Sequence, residues 1–474
     1  MSVLNLISLV GIAGLCAIAW LGSEDRRAIP WKVMVWGISL QLTIGILVFQ
    51  VPFTRDRIAD LGNLLNVLID ASESGARFLF GSIVVPKPGI VPGPGDAGRW
   101  LARTLGDSYV AVPGDRLGDT TLNLGYLFAF RALPQVIFFS AIVALLYRLG
   151  IIQPVVKVFA KIFRATLGIS GAESLSGAAN IFVGIESAIA VKPFLMDMTR
   201  SELCAILASC FGSIASTVLG LYAGFLRGTF PTITGHLMSA SILTIPACFV
   251  IAKIIVPEKE IPKTLGVVPE DPEEEEASKP SPMDSLIIGA MDGVKMAVGI
   301  AAVIVAIIGL VALLDSLFAG LAGLENSSIG LLQPIGKLFS VVTLNNIFGV
   351  LFVPLTFLTG VSLDSQELWQ SSVLIGQRVL QTSIPPYLSL ANLNATGAIS
   401  DRAMLIVSYV LCGFAHIPSM GIFVGGLAGL VPERRHEISN IAWKSLWAAT
   451  LATLMTGCVA GLFYFGDSTM VLGK

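Results

Sequence analysis

The sequence contains little charge. Asp, Glu, Lys and Arg make up 13% of its 474 residues, whereas a typical soluble domain contains about 25%. Half of the usual charged surface is missing, which favours a protein that lies in a lipid bilayer. The net charge is −2, so the chain has no basic field of the kind that attracts nucleic acid, and we predict no nucleic-acid partner.

Signatures of several enzyme classes are also missing. The chain has no HExxH, no GxSxG and no P-loop motif, which argues against a metalloprotease, a hydrolase and an ATP-driven pump. An intramembrane enzyme would need a paired acid and base or metal ligands, for which Glu186 and His416 alone give thin support, so we predict no enzymatic activity. The six cysteines are scattered through apolar stretches without metal-ligand spacing. We predict that they are buried as small hydrophobic residues.

Long apolar runs dominate what is present. A helix needs about 20 apolar residues to cross a bilayer, and the chain has eight such runs. They predict an all-α polytopic membrane protein. The first run is predicted to be a retained span, because Arg26 and Arg27 follow it, the wrong order for a signal peptide. The predicted spans are Val3–Leu21, Val33–Val51, Leu133–Leu149, Cys204–Phe225, Leu237–Val256, Ile287–Leu314, Ala403–Leu430 and Ser445–Phe465.

Basic residues predict the orientation of these spans. Lys and Arg are enriched in cytoplasmic loops, and clusters of them occur in the first loop and after the third, fifth and seventh spans. All clusters lie on one side only if both termini lie on the other. We therefore predict a bacterial inner-membrane protein with both termini in the periplasm.

Polar stretches divide the chain further. Phe53–Asn123 starts with a predicted interfacial helix, Ile58–Ile69, and continues as an external loop rich in Pro and Gly. Pro257–Pro282 is predicted to be an acidic cytoplasmic linker. The predicted division is 1–52, the first two spans (scaffold); 53–130, the interfacial helix and loop; 131–256, a first repeat; 257–283, the linker; and 284–474, a second repeat.

Two apolar regions are too polar and too broken to be ordinary spans. Gly168–Met198 contains glutamates, serines and an asparagine among glycines. Leu344–Leu390 contains asparagines, glutamines, an arginine and the pair Pro385-Pro386. Interrupted backbone facing lipid would cost several kcal/mol for each unsatisfied amide. We therefore predict two re-entrant hairpins, each buried in protein beside a wet cavity. Each is followed by a predicted helix start, at Thr199 and at Ser400.

The two halves also resemble each other. Phe211-Gly-Ser-Ile-Ala-Ser216 and Phe414-Ala-His-Ile-Pro-Ser419 follow the two predicted hairpins, and the predicted orientation makes them run in opposite directions. Paired broken segments in inverted halves indicate a solute site near the midplane of the membrane. The pattern predicts a secondary transporter; a membrane receptor or gate that binds a similar ligand without transport is the alternative.

In the first half, three residues are candidates for binding. The Glu186 carboxylate at the hairpin tip could bind solute, a cation or a proton, or it could pair with Lys192 as an anchor. Asn180 could offer an amide oxygen to Na⁺ or cap its own helix. Ser213 could be a ligand or could bond back to the preceding turn.

In the second half, Gln381, Thr382 and Ser383 form an uncharged polar cluster before the proline pair. His416 matches Ser213 in the repeat pattern and could hydrogen-bond a solute or carry a proton, although a lone histidine is often a core residue. Phe414 could stack on a planar solute or simply pack. Ser419 follows one turn later.

Several motifs resemble the concentrative nucleoside transporter family. The most specific runs from Gly171 to Gly184 (GAESLSGAANIFVG), and others include Leu133–Ser140, Met198–Leu203 and Pro432–Arg435. They extend over most of the chain in the family's order. The resemblance implies eight spans, two re-entrant hairpins, a homotrimer, and elevator-like movement of a transport domain against a scaffold.

The resemblance also implies a sodium site. Asn180, Val183, Ser213 and Ile214 occupy the family's positions for two side-chain oxygens and two backbone carbonyls. This favours Na⁺ as the coupling ion over H⁺.

The solute positions depart from the family pattern. The first hairpin reads Gly184-Ile185-Glu186, which keeps the glutamate, lacks the family's glutamine and has isoleucine in place of threonine. The family's Asn-Glu pair in the second hairpin is Thr382-Ser383 here, and its helix asparagine is His416. Losing a carboxylate that accepts hydrogen bonds costs about 1.5–3 kcal/mol for each bond. A nucleoside is the first expectation for the solute, with a nucleobase, a modified nucleoside or another polar metabolite as alternatives.

Overall fold

A computed structural model describes residues 2–81, 84–85, 127–228, 230–266, 280–327 and 329–466. Within these ranges the side chains of residues 183–186, 188–190, 193, 216 and 217 are not described. Most of the predicted external loop and the acidic centre of the predicted linker lie outside the described residues.

The regular structure of the described residues is helical, as predicted. Seventeen α-helices occur in chain order. They are α1 Val3–Leu21, α2 Trp31–Phe49, α3 Pro52–Phe80, α4 Phe128–Arg148, α5 Ile152–Leu167, α6 Gly171–Val183, α7 Arg200–Gly212, α8 Ser216–Leu226, α9 Ile233–Ile255, α10 Pro282–Ala322, α11 Gln333–Val341, α12 Leu344–Leu358, α13 Ser365–Gln381, α14 Ile384–Ala395, α15 Asp401–Leu411, α16 Ile417–Leu430 and α17 Arg435–Phe463.

The eight predicted spans correspond, in the described part of the chain, to six long helices and two interrupted helix pairs. In the described part of the chain, six helices are long and apolar enough to cross a membrane: α1, α2, α4, α9, α10 and α17. The other two spans are interrupted, because α7 and α8 are separated by residues 213–215 and α15 and α16 by residues 412–416. The protein is thus a multi-pass, all-helical membrane protein, and the predicted fold class is confirmed.

Burial separates the helices into inner and outer elements. In the most apolar windows of α9 and α17, 89% of the residues are buried, whereas the figure for α10 is 11%. The outer pair α4 and α10 is closely packed at glycines: a Cβ added to Gly293 would lie 2.7 Å from the Ile137 Cα atom. The interrupted helices α7 and α15 are buried along their length among the inner elements.

The first predicted hairpin is formed by α6 and a 3₁₀ segment, Gly184–Asp197, which pack against each other. Its base is fixed by charge. The Lys253 ammonium lies 2.6 Å from a Glu173 carboxylate oxygen and 3.0 Å from one of Glu258, with both Lys253 and Glu173 buried. Because removing one partner of a buried ion pair costs several kcal/mol, this cluster anchors the start of α6 to α9.

The second predicted hairpin has different bounds. Leu344–Leu390 contains α12 as a separate helix, and the hairpin itself is formed by α13 and α14, from Ser365 to Ala395. Asn345 and Asn346 belong to the first turn of α12, where the Thr343 hydroxyl accepts a hydrogen bond from the Asn346 amide at 3.1 Å. Polar residues at a helix start and in a broken hairpin give the same sequence pattern, which is why the predicted start was wrong.

The two predicted helix starts and the predicted interfacial helix are present in the structure. Thr199 and Glu202 form a capping box at α7, and Ser400 caps α15, both as predicted. The predicted helix Ile58–Ile69 is the middle of the longer helix α3. The domain division remains a prediction; α1 and α2 pack mainly against α17 and α9.

An exposed ion cluster joins the loop after α1 to two inner helices. The Glu24 carboxylate lies 2.8 Å from Arg200 and 2.6 Å from Lys444. Partial burial acts to raise the pKa of Glu24, but hydrogen bonds and charge from Arg200 and Lys444 outweigh it, so the pKa is lowered. The carboxylate is therefore charged at neutral pH and links the start of α7 to Lys444 of α17.

Candidate solute and cation site

In the first interrupted span, a buried helix ends inside the protein. Helix α7 ends at Gly212, and Ser213 continues in an extended conformation (φ −97°, ψ 173°) before α8 begins at Ser216. The last turn of an α-helix has carbonyl groups without helical partners and carries a partial negative charge. The break therefore places a weak cation-attracting end in the interior.

Asn180 and Ser213 meet at this break. The Asn180 amide donates to the Ser209 hydroxyl at 3.0 Å and contacts the Cys210 sulfur at 3.2 Å, and the Ser213 hydroxyl donates to the Asn180 carbonyl at 3.2 Å. Asn180, Ser213 and the next residue, Ile214, are 0–1% exposed. The sequence motif thus corresponds to a real cluster of oxygen atoms, the kind of donor that hard cations prefer.

The structure describes only the backbone of the other residues predicted to bind in the first hairpin. Val183 is the last residue of α6, and Gly184, Ile185 and Glu186 begin the 3₁₀ segment, so the turn of the hairpin does fall at these residues. Their side chains lie outside the described residues. The roles predicted for Val183, Ile185 and Glu186 therefore stay predictions.

The tip of the second hairpin is strained and buried. Helix α13 ends at Gln381, and Thr382 has φ +75°, the one positive φ outside glycine in the described chain. A β-branched residue in this region costs about 1–3 kcal/mol, and such strain occurs at binding sites. Ser383 is fully buried, and its hydroxyl donates to the Gly413 carbonyl at 2.9 Å.

His416 starts the second half of the other interrupted span. It is the N-cap of α16, and its Nδ1 atom accepts a hydrogen bond from the Ser419 amide at 3.1 Å. Because Nδ1 is an acceptor, a neutral ring carries its proton on Nε2, which can donate to a solute. The Ser419 hydroxyl donates to the Phe414 and His416 carbonyls at 2.5 and 2.6 Å. Ser419 therefore stabilises the break, and Phe414 packs edge-on to His416 at 5.9 Å.

The repeat match between Ser213 and His416 was wrong in register. Ser213 closes α7, the first helix of its broken span, whereas His416 opens α16, the second helix of the other span. Likewise Phe211 lies within α7 and Phe414 within the break. A six-residue motif cannot fix register, because the two breaks differ in length.

The two breaks lie against each other. A Cβ added to Gly413 would be 2.5 Å from the Gly212 carbonyl oxygen. Ser383 at the tip of the second hairpin contacts Gly413, and Asn180 of the first hairpin contacts the end of α7. Both hairpins and both helix breaks therefore converge on one buried location.

Sequence reasoning missed Arg378 and two tyrosines at this location. Arg378 is fully buried, and its Nη1 donates to the Val410 carbonyl and, at 3.0 Å, to the Thr453 hydroxyl. The Tyr222 and Tyr387 rings are 4.5 Å apart and join α8 to α14. An arginine four residues before a predicted hairpin tip was the available signal.

Comparison with known proteins identifies the family. A family model described as Na⁺ dependent nucleoside transporter C-terminus matches residues 236–461, and its N-terminus counterpart matches residues 10–83. A third, described as nucleoside recognition, matches residues 129–229. The second and third of the transporter regions, 129–229 and 236–461, contain both hairpins and both interrupted spans described above.

Whole-chain relatives agree. An uncharacterized transporter of Haemophilus influenzae is 32% identical over 468 residues that cover 98% of each chain. The nucleoside permease NupC of Helicobacter pylori is 29% identical over 466 residues, 97% of this chain and 98% of that one. The solved structure of CNTnw in an inward-facing substrate-bound state has a TM-score of 0.79 and 32% identity, covering 97% of this chain and 98% of that chain. The chain therefore belongs to the concentrative, Na⁺ dependent nucleoside transporter family.

Proposed function

We propose that this protein imports nucleosides, or a closely related polar metabolite, by symport with Na⁺ across a bacterial inner membrane, with both termini in the periplasm. The observation that carries the proposal is the convergence of two hairpins on two helix breaks, with the Ser213 hydroxyl 3.2 Å from the Asn180 carbonyl. Interrupted backbone at membrane depth is tolerated only where it is buried in protein or lines a water-filled cavity, and such a cavity can hold a polar solute.

The cation would be held by the first half. Asn180 and Ser213 would supply oxygen ligands with the carbonyls of Val183 and Ile214, and the end of α7 adds favourable charge. Na⁺ would bind only when the first hairpin is packed against the end of α7. Binding of solute and cation are thereby coupled, because both depend on the same hairpin.

The solute would contact both halves. Gly184, Ile185 and Glu186 would form one side, with the Glu186 carboxylate accepting hydrogen bonds from the solute. The second side would be Gln381, Thr382 and Ser383 from the hairpin, with Phe414 stacking on a planar base and His416 donating from Nε2. Ser419 would act indirectly, by holding the break that positions Phe414 and His416.

The movement would be elevator-like. We propose that the inner elements carry the site past the outer elements α3, α4 and α10, in a homotrimer. The little-buried apolar surface of α10 supports this assignment, because an exposed apolar helix in one protomer can face lipid or another copy of the chain.

The test is uptake by purified protein in proteoliposomes. Radiolabelled uridine, adenosine, uracil and adenine would be offered under an inward Na⁺ gradient, a pH gradient, or neither. We expect Na⁺-driven accumulation of a nucleoside. Ligand binding without accumulation would establish a receptor or gate instead, and accumulation driven by the pH gradient alone would establish H⁺ coupling.

Asn180→Ala tests the cation site. We expect it to abolish the Na⁺ dependence of uptake, since it removes a ligand and loosens the contact with α7. The matched control is Asn440→Ala, which changes an exposed asparagine on α17 and should leave Na⁺ dependence intact. Unchanged Na⁺ dependence in Asn180→Ala would remove the site from these residues.

A further inference from the structure

The guanidinium of Arg378 is a buried charge that forms no ion pair with any acidic residue that the structure describes. Its side chain is fully buried in α13, and the ionisable groups of the described residues that act on it are Tyr387, Tyr222 and Cys412, with no Asp or Glu among them. Its Nη1 binds the Val410 carbonyl and the Thr453 hydroxyl, while Nε and Nη2 have no hydrogen-bond partner among the described side chains and backbone. A charge in this environment is costly unless something compensates it.

The compensation comes from the end of α15. A helix carries about half a negative charge at its C-terminus, and Val410 lies in the last turn of α15. All four carbonyls of that turn accept a hydrogen bond from the chain: Ser408 from the Tyr387 hydroxyl, Tyr409 from the Cys412 amide, Val410 from Arg378 and Leu411 from the Gly413 amide. The second helix break is therefore closed by groups of the protein, one of them a cation.

By comparison, two carbonyl groups at the end of α7 receive no hydrogen bond from the described residues. The Ser209 carbonyl accepts from the Ser213 amide at 3.1 Å, but within the described part of the chain no group donates to the carbonyls of Phe211 and Gly212. Asn180 stands four residues before the turn of its hairpin at Gly184, as Arg378 stands four residues before Thr382. Each faces the last turn of the broken helix that follows. Asn180 is neutral where Arg378 is charged.

We propose that Arg378 is a fixed cation that does at the end of α15 what the mobile coupling cation does at the end of α7. This inference rests on the proposed function, because it assumes that a cation binds at Asn180 and Ser213. Arginine stays protonated under all physiological conditions, so the second break is charged in every state of the cycle. The site therefore takes one mobile cation per solute, and the equivalent position in the second half is unavailable to another.

The test measures how uridine uptake into proteoliposomes depends on Na⁺ concentration. The wild type is expected to give a Hill coefficient of about 1, and Arg378→Lys, which keeps the charge, the same value. Arg378→Ser removes the charge and leaves a hydroxyl and free carbonyls, so its Na⁺ dependence is expected to steepen to a Hill coefficient of about 2. Arg402→Ser is the matched control. Arg402 is also buried and bound to carbonyls, of Gly360 and Tyr464, but away from the break, and its loss should leave the Hill coefficient unchanged.

The outcomes separate the two proposals. A wild type whose uptake ignores Na⁺ removes the proposed function. A Na⁺-dependent wild type together with an Arg378→Ser protein of the same Hill coefficient overturns only the role of Arg378. Arg378→Ser could also be folded, as judged by size-exclusion chromatography, but inactive. In that case, restoration of uptake by added guanidinium chloride supports the role of Arg378 as a fixed cation. If neither guanidinium nor raised Na⁺ restores uptake, that role is overturned.

Discussion

At the residue scale, His416 combines two roles that a substitution can separate. It caps α16 through Nδ1 and can present Nε2–H to the solute. His416→Asn keeps a good N-cap and exchanges one ring donor for an amide that both donates and accepts. We expect specificity to shift towards ribonucleosides, because an amide can bind paired hydroxyls. One hydrogen bond of 0.5–1.5 kcal/mol corresponds to about a 2- to 12-fold change in relative affinity. Competition of uridine uptake by ribonucleosides, deoxynucleosides and bases measures it.

His416→Ala is the control for the capping role. It removes both the cap and the Nε2–H donor. We expect it to cost about 1 kcal/mol of stability, seen as a lower melting temperature in detergent, and to weaken solute binding without the shift towards ribonucleosides. An identical competition profile for His416→Asn and the wild type would place His416 outside the solute site.

The contacts of individual residues were predictable where a buried polar group needs a hydrogen-bond partner. Asn180 and Ser213 stand in apolar surroundings in the sequence, and the structure joins them by a hydrogen bond. Ser419 was harder, because a hydroxyl that satisfies its own backbone carbonyls looks the same in sequence as one that binds solute. The strained φ of Thr382 leaves no sequence signal at all, since surrounding packing rather than residue type imposes it.

At the element scale, the contact between the two helix breaks depends on glycine. Gly413→Ala would place a Cβ 2.5 Å from the Gly212 carbonyl oxygen, which is backbone and cannot move aside easily. We expect a loss of about 1–3 kcal/mol of stability and reduced uptake, since the two halves of the site are forced apart. Thermal unfolding of purified protein measures the first effect.

Gly421→Ala provides the comparison within the same region. Gly421 lies inside α16 with nothing within 4 Å of an added Cβ. Because alanine is favoured over glycine in a helix by up to about 1 kcal/mol, this variant should be as stable as the wild type or more so. Equal melting temperatures for Gly413→Ala and Gly421→Ala would contradict the close contact of the breaks.

The elements themselves were predictable from length and polarity, but the breaks within the two interrupted spans were not. Both interrupted spans appear in the sequence only as apolar runs, Cys204–Phe225 and Ala403–Leu430, without a proline at the first break. The break after Gly212 therefore depends on tertiary contacts with Asn180 and Gly413, which no local pattern contains. The separate helix α12 was missed for the reason already given, that capping asparagines resemble hairpin residues.

At the scale of the whole molecule, inverted repeats were inferred from charge and polarity, because the bilayer restricts where charge and open backbone can lie. What the sequence could not provide is which helices move together. Helices α8 and α3 are in contact across the proposed boundary between inner and outer elements: a Cβ added to Gly220 lies 3.4 Å from the Cγ1 atom of Ile69.

Cross-linking this contact tests the elevator movement. In the double variant Ile69→Cys, Gly220→Cys the two cysteines lie on facing helices, because the added Gly220 Cβ atom is 3.4 Å from the position of the Ile69 Cγ1 atom. A disulfide needs about 3.5–4.5 Å between Cβ atoms, so this pair is chosen for oxidative cross-linking. We expect oxidation to reduce nucleoside uptake to that of empty liposomes and reductant to restore it, because α8 can no longer move past α3. The single variants treated alike are the controls, and the six native cysteines are buried, which limits background. Full uptake by completely cross-linked protein would mean that α8 and α3 move as one unit and that the boundary lies elsewhere.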